Sequence, residues 1–239
     1  MRFDILQELG FPTRWKRRPA RAAKLFAESP APPPPGAHEN EINFTTKNHK
    51  ADSPVGGLNW RDLRHVSHAC QKCSLCQNRR NVVFGVGDTE ANILFVGEGP
   101  GREEDRLGEP FVGAAGKLLD KMLAAIRRKR DDGVYITNIV KCRPPDNRNP
   151  TPAESAACLP YLHRQIEIIK PRLIVALGRV AAAHLLQSNK TIGELRQRMQ
   201  DYNGVPLVVT YHPAYLLRNP MDKRKSWEDL RHIRRLAAG

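Results

Sequence analysis

Short apolar runs alternate with longer amphipathic segments over most of the chain after residue 56. The runs suit buried strands, and the longer segments suit helices, as in the stripe formed by Leu118, Leu119, Met122, Leu123 and Ile126. The predicted strands cover residues 93–96, 134–140, 173–176 and 206–211, and the predicted helices cover residues 112–130, 152–169, 179–186 and 222–236. This alternation predicts an α/β fold with a central, mainly parallel four-stranded sheet flanked by helices, and with chemistry at the carboxyl ends of the strands.

Residues 1–56 follow a different pattern, which is dominated by proline and polar residues. Residues 29–36 read SPAPPPPG, which is typical of an extended polyproline segment without a core. Near the start of the chain, residues 2–9 have an apolar helical face, and a basic run follows Trp15. The sequence therefore predicts a poorly ordered tail over residues 1–56, with a short docking helix, and a compact domain over residues 57–239.

Charge separates these two parts further. The chain has 239 residues, with 39 Lys and Arg against 25 Asp and Glu, so its formal net charge is +14. The tail has nine basic and six acidic residues, which leaves +11 on the compact domain. That excess favours an anionic partner for the domain surface, with nucleic acid first and a membrane surface second. The apolar runs are too short to cross a membrane, and the N-terminus lacks the apolar core of a secretory signal, so we expect a cytoplasmic protein without a membrane partner.

Three of the five cysteines stand close together. Cys70, Cys73 and Cys76 have C-x2-C-x2-C spacing, and Cys142 and Cys158 follow much later. In a cytoplasmic protein such thiols are typical metal ligands rather than disulfide partners. Two close thiols and two distant ones can form a four-thiolate site for zinc or a [4Fe–4S] cluster. One of the five is then spare, and the spacing does not say which.

A glycine-rich turn, GEGPGREED, covers residues 97–105 directly after the first long predicted strand. Its position suggests a dinucleotide site. Pro100 and the acidic residues 103–105 disfavour that interpretation, because a pyrophosphate site needs free backbone N–H groups and no adjacent carboxylates.

Four segments, in the same order, resemble the family 4 uracil-DNA glycosylases, the iron–sulfur branch of the uracil-DNA glycosylase superfamily. They are CQKC (70–73), GEGPGREEDRLGEPFVG (97–113), TNIVKCRPPDNRNP (137–150) and YHPAYLLRNP (211–220). The resemblance implies that residues 57–239 are the catalytic domain of a monofunctional base-excision repair enzyme. Such an enzyme flips deoxyuridine out of single- or double-stranded DNA and hydrolyses its N-glycosidic bond, which gives free uracil and an abasic site. We expect a monomer, nucleoid-associated if bacterial, whose tail docks on a repair or replication protein.

The resemblance also implies a ligand set. Cys70, Cys73, Cys142 and Cys158 would hold a [4Fe–4S] cluster, and Cys76 would be the spare thiol. Because hydrolysis needs no electron transfer, the cluster is expected to be structural. It would pin the N-terminal helix of the catalytic domain and the loop between the last two ligands against the sheet.

Four residues are implied as the main contacts of the flipped base. The Asn138 amide would donate to uracil O4 and accept from N3–H, whereas cytosine presents the reverse pattern and leaves both groups unpaired. His212 would bond O2 as negative charge develops there. Phe111 would stack on the ring, and Glu104 would exclude the methyl group of thymine.

The residue that activates the water is less obvious. Gly99, expected to line the uracil site, stands where the best-known branch of the superfamily has an Asp. The resemblance implicates Asn147, whose amide could orient the water, and Glu98, which could assist or present its backbone to uracil. Because a dissociative transition state makes the sugar electrophilic, positioning the water is expected to matter more than deprotonating it.

The remaining candidates concern DNA. Leu216 is the expected wedge that fills the gap left by the flipped base, with Leu217 as the alternative. Arg218, Arg143 and Arg148 are expected to contact phosphates. The branch of the superfamily that traps its sugar covalently through a histidine is disfavoured, because residues 139–157 contain no histidine. A different class remains open, namely a catalytically silent iron–sulfur DNA-binding module tethered to repair or replication proteins by residues 2–15.

Overall fold

The computed structural model describes residues 54–237. The predicted docking helix and nearly all of the predicted tail lie outside the described residues. None of the helices in the described range combines the length and the hydrophobicity that a membrane crossing requires.

A six-stranded sheet forms the centre of the described residues. Its spatial order is β1-β3-β2-β4-β6-β5, and the four central strands pair in parallel, whereas both edge strands are antiparallel. The strands are β1 (Val86–Gly87), β2 (Ile93–Gly97), β3 (Val134–Asn138), β4 (Leu173–Leu177), β5 (Gln200–Tyr202) and β6 (Val205–Thr210). The mainly parallel sheet is confirmed. The predicted number of four strands is wrong, because β1 and β5 have only two and three residues and are too short to show a period.

The described residues form eight α-helices, in two layers that cover the two faces of the sheet. They are α1 (Trp60–His68), α2 (Arg102–Leu107), α3 (Ala114–Ala125), α4 (Pro152–Ile169), α5 (Arg179–Leu186), α6 (Ile192–Leu195), α7 (Pro213–Arg218) and α8 (Lys223–Leu236). Buried side chains of α1, α4 and α5 share one core with alternate strand residues, and those of α3, α7 and α8 share the other. The central strands have few polar positions because both of their faces are covered.

Local capping explains which helix bounds could be predicted. The predicted bounds of α4 and α5 are confirmed, and α4 begins with a capping box in which Thr151 and Glu154 bond each other's backbone N–H groups. The predicted helix over residues 112–130 is too long at both ends. Helix α3 begins only after Gly113, which has an extended conformation, and it ends before Arg127, which has a φ of 60°.

Apolar packing holds α1 against the sheet. Leu63 is fully buried, and the Trp60 ring meets the edges of Phe84 and Tyr135 at centroid distances of 5.2 Å each. The guanidinium of Arg164 in α4 also donates to the carbonyl oxygen of Leu58, at 2.8 Å. The role of a cluster in pinning this helix stays a prediction.

Candidate active site and cysteine cavity

A cavity of about 410 Å³ opens where β2, β3 and β6 end. This volume is within the usual range for small-molecule sites. Nine residues predicted to contact the base, the water or DNA line it: Glu98, Gly99, Glu104, Phe111, Asn138, Asn147, Arg148, His212 and Arg218. Arg143, Leu216 and Leu217 are not among the lining residues.

Asn138 ends β3 and is paired in register with Gly97, the last residue of β2. Its side chain is 1% exposed, and its Oδ1 has no hydrogen-bond partner in the described part of the chain. A buried amide oxygen without a partner is costly, so this atom is available for a ligand. A methyl group on Gly97 would collide with Asn138 Oδ1 and with the Phe111 ring. The glycine therefore leaves the space between these two side chains.

Phe111 is held in an unusual backbone conformation. Its φ is 56°, a left-handed value that costs about 1 kcal/mol for a residue with a Cβ. The Arg130 guanidinium donates to the carbonyl oxygens of Pro110, at 2.8 Å, and of Phe111, and it also pairs with Asp120 at 2.7 Å. The Phe111 ring lies 5.5 Å from the His212 ring, tilted by 33°. Sequence reasoning missed Arg130, which stands 19 positions away and in no motif.

The Glu104 carboxylate organises the turn that carries Phe111. It accepts hydrogen bonds from the backbone N–H groups of Gly101 (3.1 Å), Val112 (2.9 Å) and Gly113 (3.0 Å). These bonds join the start of α2 to the start of α3. Exclusion of a thymine methyl group by Glu104 stays a prediction, whereas the binding of three N–H groups is a role that the sequence did not show.

His212 is the N-cap residue of α7. Its Nδ1 accepts a hydrogen bond from the backbone N–H of Ala214 at 3.2 Å. Burial, together with the positive charge of Arg218, lowers the pKa of His212 to about 4, so the ring is neutral at pH 7. In the neutral ring the nitrogen that accepts has no hydrogen, which places the hydrogen on Nε2. His212 therefore offers a neutral N–H donor at the cavity.

A buried charged pair supports the strand end that precedes His212. Thr210 Oγ1 donates to Asp229 Oδ2 at 2.9 Å, and the Arg196 guanidinium pairs with Asp229 Oδ1 at 2.9 Å. The same guanidinium lies 5.5 Å from the centre of the Tyr211 ring. These residues were also missed, because they meet only through tertiary packing.

The two water candidates differ in environment. Glu98 is half-buried, and burial raises the pKa of its carboxyl, with Arg179 acting in the opposite direction. Asn147 is exposed, has a φ of 54°, and accepts a hydrogen bond from Arg143 Nε at 2.8 Å through its Oδ1. With Oδ1 engaged by Arg143, the amide NH2 of Asn147 is the group that can orient a water.

The prediction that Leu216 is the wedge requires correction. Leu216 is 1% exposed and packs in the core beneath α7, whereas its neighbour Leu217 is 43% exposed. Successive residues of a helix point about 100° apart, so only one of two adjacent leucines can face the core. The exposed alternative, Leu217, is the leucine that a DNA duplex can reach.

Arg148 is engaged within the protein. It binds Glu154 through two hydrogen bonds, of 2.7 and 2.8 Å, and these hold the pKa of the Glu154 carboxyl at about 2. Glu154 also accepts from Ser74 Oγ at 3.1 Å, which joins this loop to the segment of Cys73. Arg143 likewise bonds Asn147. Arg218 lines the cavity and is exposed, which is the placement expected of a phosphate contact.

All five cysteines line a second, smaller cavity on the α1 and α4 side of the sheet. The four predicted ligands are thus together. Cys73 caps a single 3₁₀ turn that ends at Cys76. Side chains three positions apart eclipse in such a turn, and Cys76 lines the same cavity. The geometry therefore leaves open which thiol is spare.

The thiols have donors around them. Arg79 Nη1 donates to Cys142 Sγ at 3.1 Å, and the Lys141 backbone N–H donates to Cys158 Sγ at 3.3 Å. The hydroxyl of Tyr161, which also lines the cavity, is buried beside Cys70. Burial raises the pKa of the Cys158 thiol to about 12, so a bound cation is needed to make it a thiolate.

The chemistry of the donor set fits a metal group held by thiolates. Four of the cysteines around this cavity, with N–H donors to two of them, can supply the four thiolates that a [4Fe–4S] cluster or zinc takes. Among residues 54–237, no three His, Cys, Asp or Glu side chains are arranged as a site for a single metal ion.

The chain is similar to proteins of known family over most of its length. Residues 84–231 match the family model of the uracil DNA glycosylase superfamily. The type-4 uracil-DNA glycosylase of Archaeoglobus fulgidus is 46% identical over 180 residues, which cover 72% of this chain and 90% of the relative. The type-4 enzyme of Thermotoga maritima is 50% identical over 159 residues, 64% of this chain and 82% of the relative. That of Pyrobaculum aerophilum is 42% identical over 184 residues, 72% of this chain and 92% of the relative.

Proposed function

The chain belongs to the type-4 uracil-DNA glycosylases, and we propose that the cavity at the ends of β2, β3 and β6 is where it holds a flipped uracil. Membership of this family makes it a hydrolase of N-glycosyl bonds that excises uracil in DNA repair. The residues, the cluster and the mode of DNA contact given below are our proposal.

The observation that carries this proposal is the buried Asn138 amide, whose Oδ1 is without a partner. Uracil supplies the missing donor through N3–H, and Asn138 Nδ2 donates to uracil O4. Cytosine would put an acceptor against Oδ1 and a donor against Nδ2, which leaves buried polar groups unpaired on both sides. Phe111 stacks on the base.

His212 stabilises the leaving group. As the bond between sugar C1′ and uracil N1 breaks, its electron pair passes to uracil, and negative charge develops on O2. The Nε2–H of His212 donates to that oxygen. Because the Ala214 N–H holds Nδ1 and the pKa is about 4, His212 acts as a fixed neutral donor rather than as an acid.

Asn147 and Glu98 act on the water. The Asn147 amide NH2 orients the water oxygen towards C1′, and the Glu98 carboxylate, in the same cavity, stabilises the positive charge of the sugar and accepts a water proton. The water oxygen then bonds C1′, which gives the abasic site, and uracil leaves as an anion that takes up a proton from solvent to become the free base.

DNA contact is assigned to groups beside the cavity. Leu217, which is exposed, fills the gap in the base stack, and the exposed Arg218 binds a phosphate. The half-buried Arg143 is a further contact. The apolar face near the start of the chain supports docking of residues 2–15 on a repair or replication protein.

Cys70, Cys73, Cys142 and Cys158 would hold a [4Fe–4S] cluster. When bound, the cluster supplies a covalent cross-link among the segment after α1, the segment after β3, and α4. Through that link it would pin α1 against the sheet. The residues of the active site need no electron for hydrolysis.

Release of uracil from an oligonucleotide tests the proposal. The cluster-loaded full chain should release uracil from single-stranded DNA with one deoxyuridine and release no base from matched thymine or cytosine strands. Asn138→Ala should lower the rate at least about 100-fold, whereas Asn92→Ala, at an exposed asparagine before β2, should leave it unchanged. Salt-sensitive DNA binding without release of uracil would instead identify the silent binding module.

A further inference from the structure

Lys141 connects the two cavities. It lies between Asn138 and Cys142, and it is 2% exposed. Its Nζ donates to Thr137 Oγ1 at 2.6 Å, to the backbone carbonyl oxygen of Asn138 at 2.8 Å and to Gln165 Oε1 at 2.7 Å. A buried lysine amine therefore holds the backbone of the residue that reads uracil.

The three partners of the Lys141 amine are neutral. No ion pair of the described residues includes Lys141, and burying a charge without an opposite charge is costly. Lys141 lines the cysteine cavity, and its backbone N–H donates to Cys158 Sγ at 3.3 Å. Four thiolates around a cluster core of charge 2+ carry about −2 in total, which is the opposite charge that the lysine lacks.

We propose that Lys141 is a positioning residue that couples the cluster to the uracil pocket. The negative charge of the cluster balances the buried ammonium, and the ammonium fixes the carbonyl group of Asn138. This inference rests on the proposed function, because it assumes both the cluster and the role of Asn138. Hydrolysis uses no electron, so electron transfer does not explain the cluster. The coupling would explain why a cluster ligand, Cys142, lies four residues after Asn138.

The first test compares the thermal unfolding of cluster-loaded and cluster-stripped full-length protein. Lys141→Met removes the charge and the hydrogen bonds, Lys141→Gln removes the charge but keeps a donor, and Lys190→Met is the control at an exposed lysine. Both Lys141 variants should lower the unfolding midpoint more in the loaded than in the stripped protein, because only the loaded protein loses a charge pair. An equal decrease of the unfolding midpoint in the two forms would show that Lys141 contributes its three hydrogen bonds but is not coupled to the cluster.

The second test needs only the loaded protein, so it decides the matter if the stripped chain does not fold. Removing a nearby buried cation disfavours the addition of an electron, so Lys141→Met and Lys141→Gln should shift the reduction potential of the cluster to more negative values. Lys190→Met should leave the potential unchanged. An unchanged potential in the Lys141 variants would overturn the proposal.

The third test measures whether the charge of Lys141 affects catalysis in the uracil pocket. In both Lys141 variants kcat for uracil release should fall about 10-fold or more, because a small misplacement of a substrate contact is enough for such a loss. The iron content of both variants should stay near that of the wild type. Wild-type protein without iron or without uracil release would refute the proposed function itself. If the wild type contains iron and releases uracil, but the Lys141 variants match Lys190→Met in every measurement, the coupling alone is refuted.

Discussion

The proposed uracil pocket and the cysteine cavity flank the same five-residue segment, Asn138–Cys142, but they are built in opposite ways. In the pocket, protein hydrogen bonds already fix the functional groups, as the Ala214 N–H fixes His212 and three N–H groups fix Glu104. In the cysteine cavity, burial keeps the Cys158 thiol protonated, and no three ligand side chains of the described range converge on a single ion.

This difference indicates that the two regions depend on their ligands in different ways. The pocket holds His212 and Glu104 in place before a base arrives, which suits a ligand that enters and leaves in every catalytic cycle. On the proposed function, the cysteine cavity would become complete only with its cluster, whose binding free energy would then contribute to folding. Substitutions in the pocket should therefore cost activity and little stability, whereas substitutions of ligand cysteines should cost stability first.

The largest effect is expected at the cysteines. Cys158→Ser should lower the iron content from about four per chain to near zero and the free energy of unfolding by about 5 kcal/mol or more. Iron analysis, absorbance near 400 nm and urea unfolding measure these changes. Cys76→Ser is the matched control, and it should keep its iron and stay within about 0.5 kcal/mol of the wild type. If Cys76→Ser loses iron while Cys73→Ser retains it, the ligand set is different.

The next effect is expected at His212. His212→Asn keeps a side-chain oxygen that can cap α7 but removes the Nε2–H donor, so kcat for uracil release should fall about 10²- to 10³-fold. The free energy of unfolding should change by less than about 1 kcal/mol. Single-turnover release and urea unfolding of the same preparation measure both quantities. A large loss of stability without loss of activity would make this histidine a structural residue only.

Two adjacent leucines sharpen the comparison within one helix. Leu216→Ala should lower the free energy of unfolding by about 2–5 kcal/mol, because it leaves a cavity in the core. Leu217→Ala should change stability by less than about 0.5 kcal/mol. It should lower uracil release several-fold from duplex DNA and hardly at all from single strands, where no gap forms. The opposite assignment of the two effects would restore Leu216 as the wedge.

The smallest effect is a pH dependence of stability. The folded pKa of His212 is about 4, below the value of about 6.5 expected in the unfolded chain. Between these values the unfolded chain binds more protons, so this group lowers the free energy of unfolding as the pH falls from 6.5 to 4 and has no effect above that range. The stability difference between wild type and His212→Asn should shift by roughly 1–3 kcal/mol across that window. A constant difference would mean that the ring titrates normally in the folded protein.

Sequence periodicity was sufficient to predict strands and helices where burial is uniform along the element or where the helix cap is local. The fully buried central strands and the Thr151 cap of α4 are examples, and the motif resemblance named the residues that the cavity brings together. The edge strands had no periodic signal because they are two and three residues long. Arg130, Asp229 and the buried face of Leu216 depend on contacts between distant segments, which no local pattern contains. The role of Asn147 in orienting the water stays a prediction.

The left-handed backbone of Phe111 constrains how this enzyme could be engineered or could diversify. Glycine at position 111 would relax the backbone but remove the stacking surface, and a β-branched residue would add strain there. A library that seeks acceptance of larger damaged bases should therefore keep position 111 aromatic and leave Gly97 unchanged. Additional room is better sought at Ala115, a small residue of α3 that lines the same cavity.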